Sequence, residues 1–215
     1  MSNKLKVGDQ LTLAIHSTDN SFGFAYRENH KESDTFFIKK FDKDLCNNLI
    51  VDFNKFIPRE NLKKVNKICV TIGPANFNAS RLIVVLARTI SQQINCPLDS
   101  FSSFELISKR IALRNNMYSN NQSFWIYKKL KRKGFIAGKY KVCINKDNHE
   151  NLAINEKVVP KVVQELVNPG PNFEANYEEE EDLRELLNLS NQNLAISSVN
   201  SWEKVLPLYP LSPIN

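Results

Sequence analysis

The stretch ICVTIGPANFNASRLIVVLARTI, Ile68 to Ile90, decides how this chain folds. With Lys67 before it, KICVTIG is nearly all apolar and β-branched, the composition of a central parallel strand covered on both faces. Gly73-Pro74 stops that strand. From about Asn78 to Ile94 the apolar residues Ala79, Leu82, Ile83, Leu86, Ile90 and Ile94 recur at helical spacing and predict one core-facing stripe. Val84 and Val85 fall outside the stripe, so the helix is apolar over more than one face. A helix packed on a sheet and nothing else does not require that.

Strand, glycine turn and helix is also how phosphate-binding loops begin. The Walker spacing is absent, because counting from Gly73 puts Asn78 at the second glycine and Ala79 at the lysine. The whole chain holds only six glycines. A two-metal nuclease needs carboxylates on the first strand and its neighbours, but the first strand ends in His16-Ser17-Thr18, and Asp99, Glu105 and Asp147 are scattered. No G-x-S-x-G elbow marks a nucleophile. His16, His30 and His149 show no metal-ligand spacing, so neither a metal nor a cofactor is expected. Cys46, Cys69, Cys96 and Cys143 form no C-x-x-C pair and read as reduced, mostly buried thiols.

Working outward, LTLAIHST (Leu11–Thr18) and SFGFAYRE (Ser21–Glu28) read as paired strands, and DTFFIKKF as a third. A helix follows from a cap at Asp44 to about Phe56, with Leu45, Cys46, Leu49, Ile50, Phe53, Phe56 and Ile57 at helical spacing, and Pro58 ends it. After the long helix come PLDSFSS, a short strand, and FELISKRIAL, a helix that Ser102 or Ser103 can cap. The order β-β-β-α-β-α-β-α predicts a mixed sheet with helices on both faces. The polar run NNMYSNNQ marks a boundary, giving an N-terminal lobe over 1–113, a smaller lobe over 114–195 and an extended tail over 196–215. In the second lobe SFWIYKKLKRKGFIAGKYKVCIN reads as a hairpin, KVVPKVVQELV as a strand or short helix, NPGPNFEANYEEEE as a loop and EEEDLRELLNL as a helix.

The chain carries 29 basic and 23 acidic residues, a net charge of +6, which permits nucleic-acid contact without demanding it. Lys128, Lys129, Lys131, Arg132 and Lys133 gather at the hairpin and are the candidate RNA contacts. The neighbouring aromatics Phe124, Trp125, Tyr127, Phe135 and Tyr140 are expected to pack the sheet. The acidic run Glu178–Asp182 suits the N-terminus of its own helix. The polar opening MSNKLKVGDQ has no apolar signal core and no window spans a membrane, so the expected location is cytoplasmic.

Several of these pieces line up. Leu13-Ala14-Ile15-His16-Ser17 opens the meander, Ile72-Gly73-Pro74 with Phe77 and Arg81 enters the long helix, and Pro97-Leu98 with Ser102-Ser103 and Glu105 follows. Together they resemble the TsaB (YeaZ-type) family, the accessory subunit of tRNA threonylcarbamoyladenosine (t6A) synthesis. That family usually has G-P-G-S-F-T-G-L-R at the turn; here Ala75, Asn76, Asn78, Ala79 and Ser80 replace its other residues. Ala87, Leu106 and the closing Pro207-Leu208-Tyr209 also agree, and the resemblance covers about Leu11 to Leu113 plus that tail. The family's D-A-R-R turn would fall at the basic hairpin, where no Asp is found.

The resemblance implies the two-lobed ASKHA fold of actin and sugar kinases, in a member without a working ATP site. His16 stands where such proteins usually hold a metal-organising Asp. It further implies a non-catalytic scaffold that binds a TsaD-like ATP-dependent transferase, or a second copy of itself, through a helical bundle. A TsaE-like ATPase and tRNA, the latter indirectly, are further expected partners. On that reading the partner-facing set is Leu45, Leu49, Phe53, Pro74, Phe77, Arg81, Val84, Val85 and Arg88. The alternative is a degenerate ASKHA or RNase H-like enzyme, a kinase or nuclease.

Overall fold

Alternating apolar residues place β1 (Leu11–Ser17) in the middle of a sheet, where all seven of its residues are buried. In this computed structural model the described residues are 10–29, 31, 33–40, 45–118, 121–131, 134–144, 152–166, 170–192 and 201–208. β2 (Ser21–Glu28) and β3 (Thr35–Lys40) complete an antiparallel meander, in register from Leu11↔Glu28 to Ser17↔Phe22 and from Ser21↔Lys40 to Tyr26↔Thr35. β4 (Val65–Thr71) and β5 (Leu98–Phe101) join in parallel, giving the order β3-β2-β1-β4-β5. Parallel neighbours need crossovers. The chain supplies them as α1 (Leu45–Phe56) with the one-turn α2 (Arg59–Leu62), and as α3 (Phe77–Ile94). The capping residue expected at Asp44 lies outside the described residues.

One face of this sheet, with Leu13, Ile15, Phe24, Ile68 and Val70, forms the main core with Leu49 and Phe53 of α1 and Ile83 and Ala87 of α3. Phe24 meets Phe53 edge-on at 5.3 Å and stacks on Phe56 at 5.8 Å. Each such ring, fully buried, contributes about 2 kcal/mol of hydrophobic stabilisation. The other face carries small and polar residues, among them Ala14, His16, Gly23, Lys67 and Cys69. α5 (Glu179–Gln192) covers it, and comes so close that a Cβ on Gly23 would lie 2.7 Å from Leu183 Cδ1.

The second sheet has the order β8-β7-β6-β9, from β6 (Ser123–Lys129), β7 (Phe135–Ile144), β8 (Leu152–Val163) and β9 (Asn172–Glu174). β6-β7-β8 is antiparallel and β9 runs parallel to β6, so the first four positions of the larger sheet recur here. α4 (Ser103–Arg114) packs Phe104, Ile107 and Ile111 against Phe124, Ile126, Tyr140 and Val142 on one face. Two mixed sheets built on one pattern, with flanking helices, make the α/β fold of the ASKHA class.

The chain divides into two compact units, one holding the described residues as far as Phe101 with those of Glu178–Pro207, the other those of Ser102–Tyr177 with Leu208. The expected boundary after residue 113 therefore falls earlier, because the apolar face of α4 packs on β7 and β8. Likewise α5 belongs to the first unit, since it packs on β1 and β2. KVVPKVV is strand throughout, and the expected loop NPGPNFEANYEEEE contains β9. The tail is not wholly extended: Ser201–Lys204 forms a 3₁₀ turn against α3 and β5.

Candidate functional site

α3 begins where Asn76 places its side-chain oxygen within 3.1 Å of the Asn78 N–H and 3.2 Å of the Ala79 N–H, satisfying donors that the first turn leaves open. It ends at Asn95, whose backbone is left-handed and whose N–H donates to the Ser91 carbonyl. Between the caps, Ala79, Ile83, Val84, Ala87 and Ile90 are buried. Phe77, Arg81 and Val85 follow one another a turn apart on the side turned to solvent. Phe77 is 43% exposed and Val85 59%, and the Arg81 guanidinium lies 5.4 Å from the centre of the Phe77 ring. On α1, Ile50 at 59% and Val51 at 49% are exposed in the same way. These four apolar side chains cost solvation while they stay in water, and they lie on helices that share one face of the sheet.

The structure divides the sequence-predicted set in two. Phe77, Arg81 and Val85 are exposed together, and Arg88 is half-buried with its guanidinium 5.9 Å from the Trp202 ring. Leu49, Phe53, Pro74 and Val84 are buried, which corrects their assignment to a partner-facing surface. The surplus apolar residues of α3 have two neighbours to satisfy, the sheet and the 3₁₀ turn that carries Trp202 and Val205 into the core. Arg88 lies one turn beyond Val84 and against Trp202, so that flank is covered by the returning tail. The Leu45 side chain lies outside the described residues. Ile50, expected on the core stripe, points outward, and Val51 was missed. The signal was present in NLIVDF, because Leu49, Ile50 and Val51 in succession cannot all face one core.

At the end of β1 a second polar cluster closes. His16 Nδ1 lies 3.0 Å from Thr71 Oγ1, and Nε2 lies 3.8 Å from Asp182 of α5. Thr18 and Ser21 hydroxyls meet at 2.6 Å, and Ser21 donates to Glu179 at 2.8 Å. Glu179 and Asp182 come from the acidic first turn of α5, where Asp182 also accepts from the Glu178 N–H at 2.9 Å. The acidic run thus favours its own helix terminus and ties it to β1 and β2. His16 and Asp182 are each 1% exposed. Among the described residues no three His, Cys, Asp or Glu side chains come together as metal ligands.

Of the basic hairpin, Lys128 is half-buried, Lys129 and Lys131 are exposed, and Arg132 and Lys133 lie outside the described residues. Cys69 and Cys96 are buried free thiols, each pushed up to about 12 by burial and so kept protonated. Cys143 is free and half-buried, and the Cys46 side chain lies outside the described residues. No helix among the described residues is long and apolar enough to cross a membrane.

The sequence matches no family model and no curated protein. Two solved structures match over nearly their whole length. One is described as a protein with similarity to peptidase YEAZ from Pseudomonas aeruginosa, with TM-score 0.68, 12% identity, and 94% of this chain and 100% of that one covered. The other is YeaZ from Pseudomonas aeruginosa, with TM-score 0.67, 13% identity, and coverage of 93% and 99%. The chain therefore has the fold of these two structures.

Proposed function

We propose that this chain is a non-catalytic scaffold of the TsaB kind, which holds a TsaD-like transferase in its active form during t6A synthesis on tRNA. The carrying observation is the exposed stripe Phe77–Arg81–Val85 on α3, accompanied by Ile50 and Val51 on α1. An apolar helical face with a cation at its centre suits docking against another helix pair, where its burial contributes about 25 cal/mol per Å² of apolar area. The full-length likeness in fold to YeaZ supports the same reading. The transferase would supply the metal and the transfer chemistry, and this chain the surface that positions it, with a TsaE-like ATPase joining the assembly. In the absence of that partner the same face would join two copies of the chain.

The test is to mix the purified chain with the TsaD-type protein of the same organism and measure mass by light scattering during size exclusion. A 1:1 or 2:2 complex that Val85→Glu or Phe77→Glu abolishes supports the reading. No complex at micromolar concentration overturns it, and ATP turnover or metal-dependent nuclease activity by the isolated chain would favour the enzyme alternative.

A further inference from the structure

The second sheet has a face that α4 does not cover. Residues opposite one another across β6 and β7 share a side, so Ser123, Trp125, Tyr127 and Lys129 lie with Lys141, Lys139, Ala137 and Phe135. The α4 side holds Phe124 and Tyr140 in the core together with Ile126. Trp125, Tyr127 and Phe135 are different. They are half-buried, belong to neither core cluster, and stand on the face away from α4. All five aromatics thus pack the sheet, Phe124 and Tyr140 in a core cluster and Trp125, Tyr127 and Phe135 on its other face.

Cations surround these rings. The Lys139 ammonium lies 5.9 Å from the centre of the Trp125 ring, and Tyr127 and Phe135 meet edge-on at 5.7 Å. On β8, Lys161 pairs with Ala137 and so joins the same face, where it is exposed. Among the described residues, the one carboxylate that strand pairing places there is Glu174, opposite Tyr127. The face of a sheet turned away from its core ordinarily carries polar side chains. This one alternates rings with lysines and runs into the basic hairpin tip at Lys131.

We infer that this face binds single-stranded nucleic acid, with bases stacking on Trp125, Tyr127 and Phe135 and phosphates meeting Lys129, Lys139, Lys141 and Lys161. The chemistry follows from spacing and charge. Rings two residues apart on a strand stand about 7 Å apart, and a four-stranded sheet that carries rings on one face is a common platform for unstacked bases. Aromatic faces accept any base and lysines neutralise any backbone, so recognition is tolerant of sequence. The cationic, ring-bearing surface fits a polyanion with flat groups and does not suit another basic protein. The inference extends the hairpin contacts onto the sheet and stands whether or not a TsaD-like partner binds α3.

The test is fluorescence anisotropy of the full chain with a labelled single-stranded RNA of about 12 nucleotides, alone and annealed to its complement. Binding is expected to favour the single strand and to weaken steeply between about 50 and about 200 mM salt. Lys139→Glu with Lys161→Glu, two surface changes that leave the core untouched, is expected to weaken binding at low salt and flatten the salt dependence. Tyr127→Ala is expected to weaken it about tenfold without changing the salt slope, with circular dichroism checking that the sheet is intact. No binding at low salt overturns the inference. So does equal binding of the duplex, or binding that the lysine changes leave untouched, since either removes the face from recognition. If the chain instead dimerises through this face, and Lys139→Glu with Lys161→Glu separates the copies, a second copy is the occupant and the inference fails.

Discussion

Lys67 and Asp99, on the neighbouring strands β4 and β5, form an ion pair of 2.7 Å on the sheet face that α5 covers. The Lys67 ammonium also donates to the Ser190 carbonyl in the last turn of α5 at 2.6 Å. Both side chains are shielded, at 6% and 13% exposure, so each charge depends on the other. Asp99→Ala is expected to cost about 3 kcal/mol, because it leaves the buried ammonium with a carbonyl alone. Lys67→Met combined with Asp99→Leu should recover most of that loss. Urea unfolding of the three variants checks it.

Val84 and Val85 are neighbours in sequence with opposite environments, 0% and 59% exposed. Val84→Glu is expected to unfold the first unit or to lower its stability by more than about 3 kcal/mol. Val85→Glu should change stability by less than about 0.5 kcal/mol and act only on the proposed complex. Thermal melts of both variants, beside the light-scattering experiment, separate a folding defect from a docking defect.

Asn76 caps α3 with two hydrogen bonds from its side-chain oxygen. Asn76→Ala is expected to cost about 1 kcal/mol, and Asn76→Asp to preserve stability or raise it slightly by placing a charge at the helix N-terminus. Equal stabilities of wild type and Asn76→Ala would show that the cap is not needed.

Glu105 sits in the capping turn of α4, where Ser102 accepts from its N–H at 2.9 Å. Burial, with the nearby Glu156 carboxylate, pushes its carboxyl up to about 7 from 4.5. Glu156 itself accepts from Ser102 at 2.9 Å and from Tyr140 at 3.0 Å. A raised carboxylate pKa means that the folded state holds its proton longer than the unfolded one, so this group lowers stability as pH rises from about 4.5 to about 7. Glu105→Gln should therefore be more stable than wild type at pH 8, by up to about 3 kcal/mol, with the gain shrinking to zero below about pH 4. Melting curves across that range decide it, and a gain independent of pH would sink the assignment.

The larger sheet was legible because its signals are local. Leu11, Leu13 and Ile15 alternate, Pro58 stops α1, and KICVTIG is apolar enough to stand only in a sheet centre. β9 was not legible, since Asn172–Glu174 has only three residues and owes its existence to pairing with Trp125–Tyr127. The candidate docking face was half legible. Helical spacing sets Val84 and Val85 outside the core stripe and the family resemblance adds Phe77 and Arg81, but only the fold decides that Val84 is buried while Val85 is exposed.

By itself, then, the sequence determined the strands of the larger sheet, the longer helices and the turn at Gly73-Pro74, because period and capping act within a few residues. Tertiary structure decided which side of each element meets water. Trp125 and Phe124 are adjacent on β6, yet one lies in the core and the other on the open face, because α4 packs against a single side of the sheet. Likewise Lys67 is held inside only because Asp99 and the end of α5 come to it from distant parts of the chain. A buried charge is stable where its partners are, and composition along the chain does not say where they will arrive.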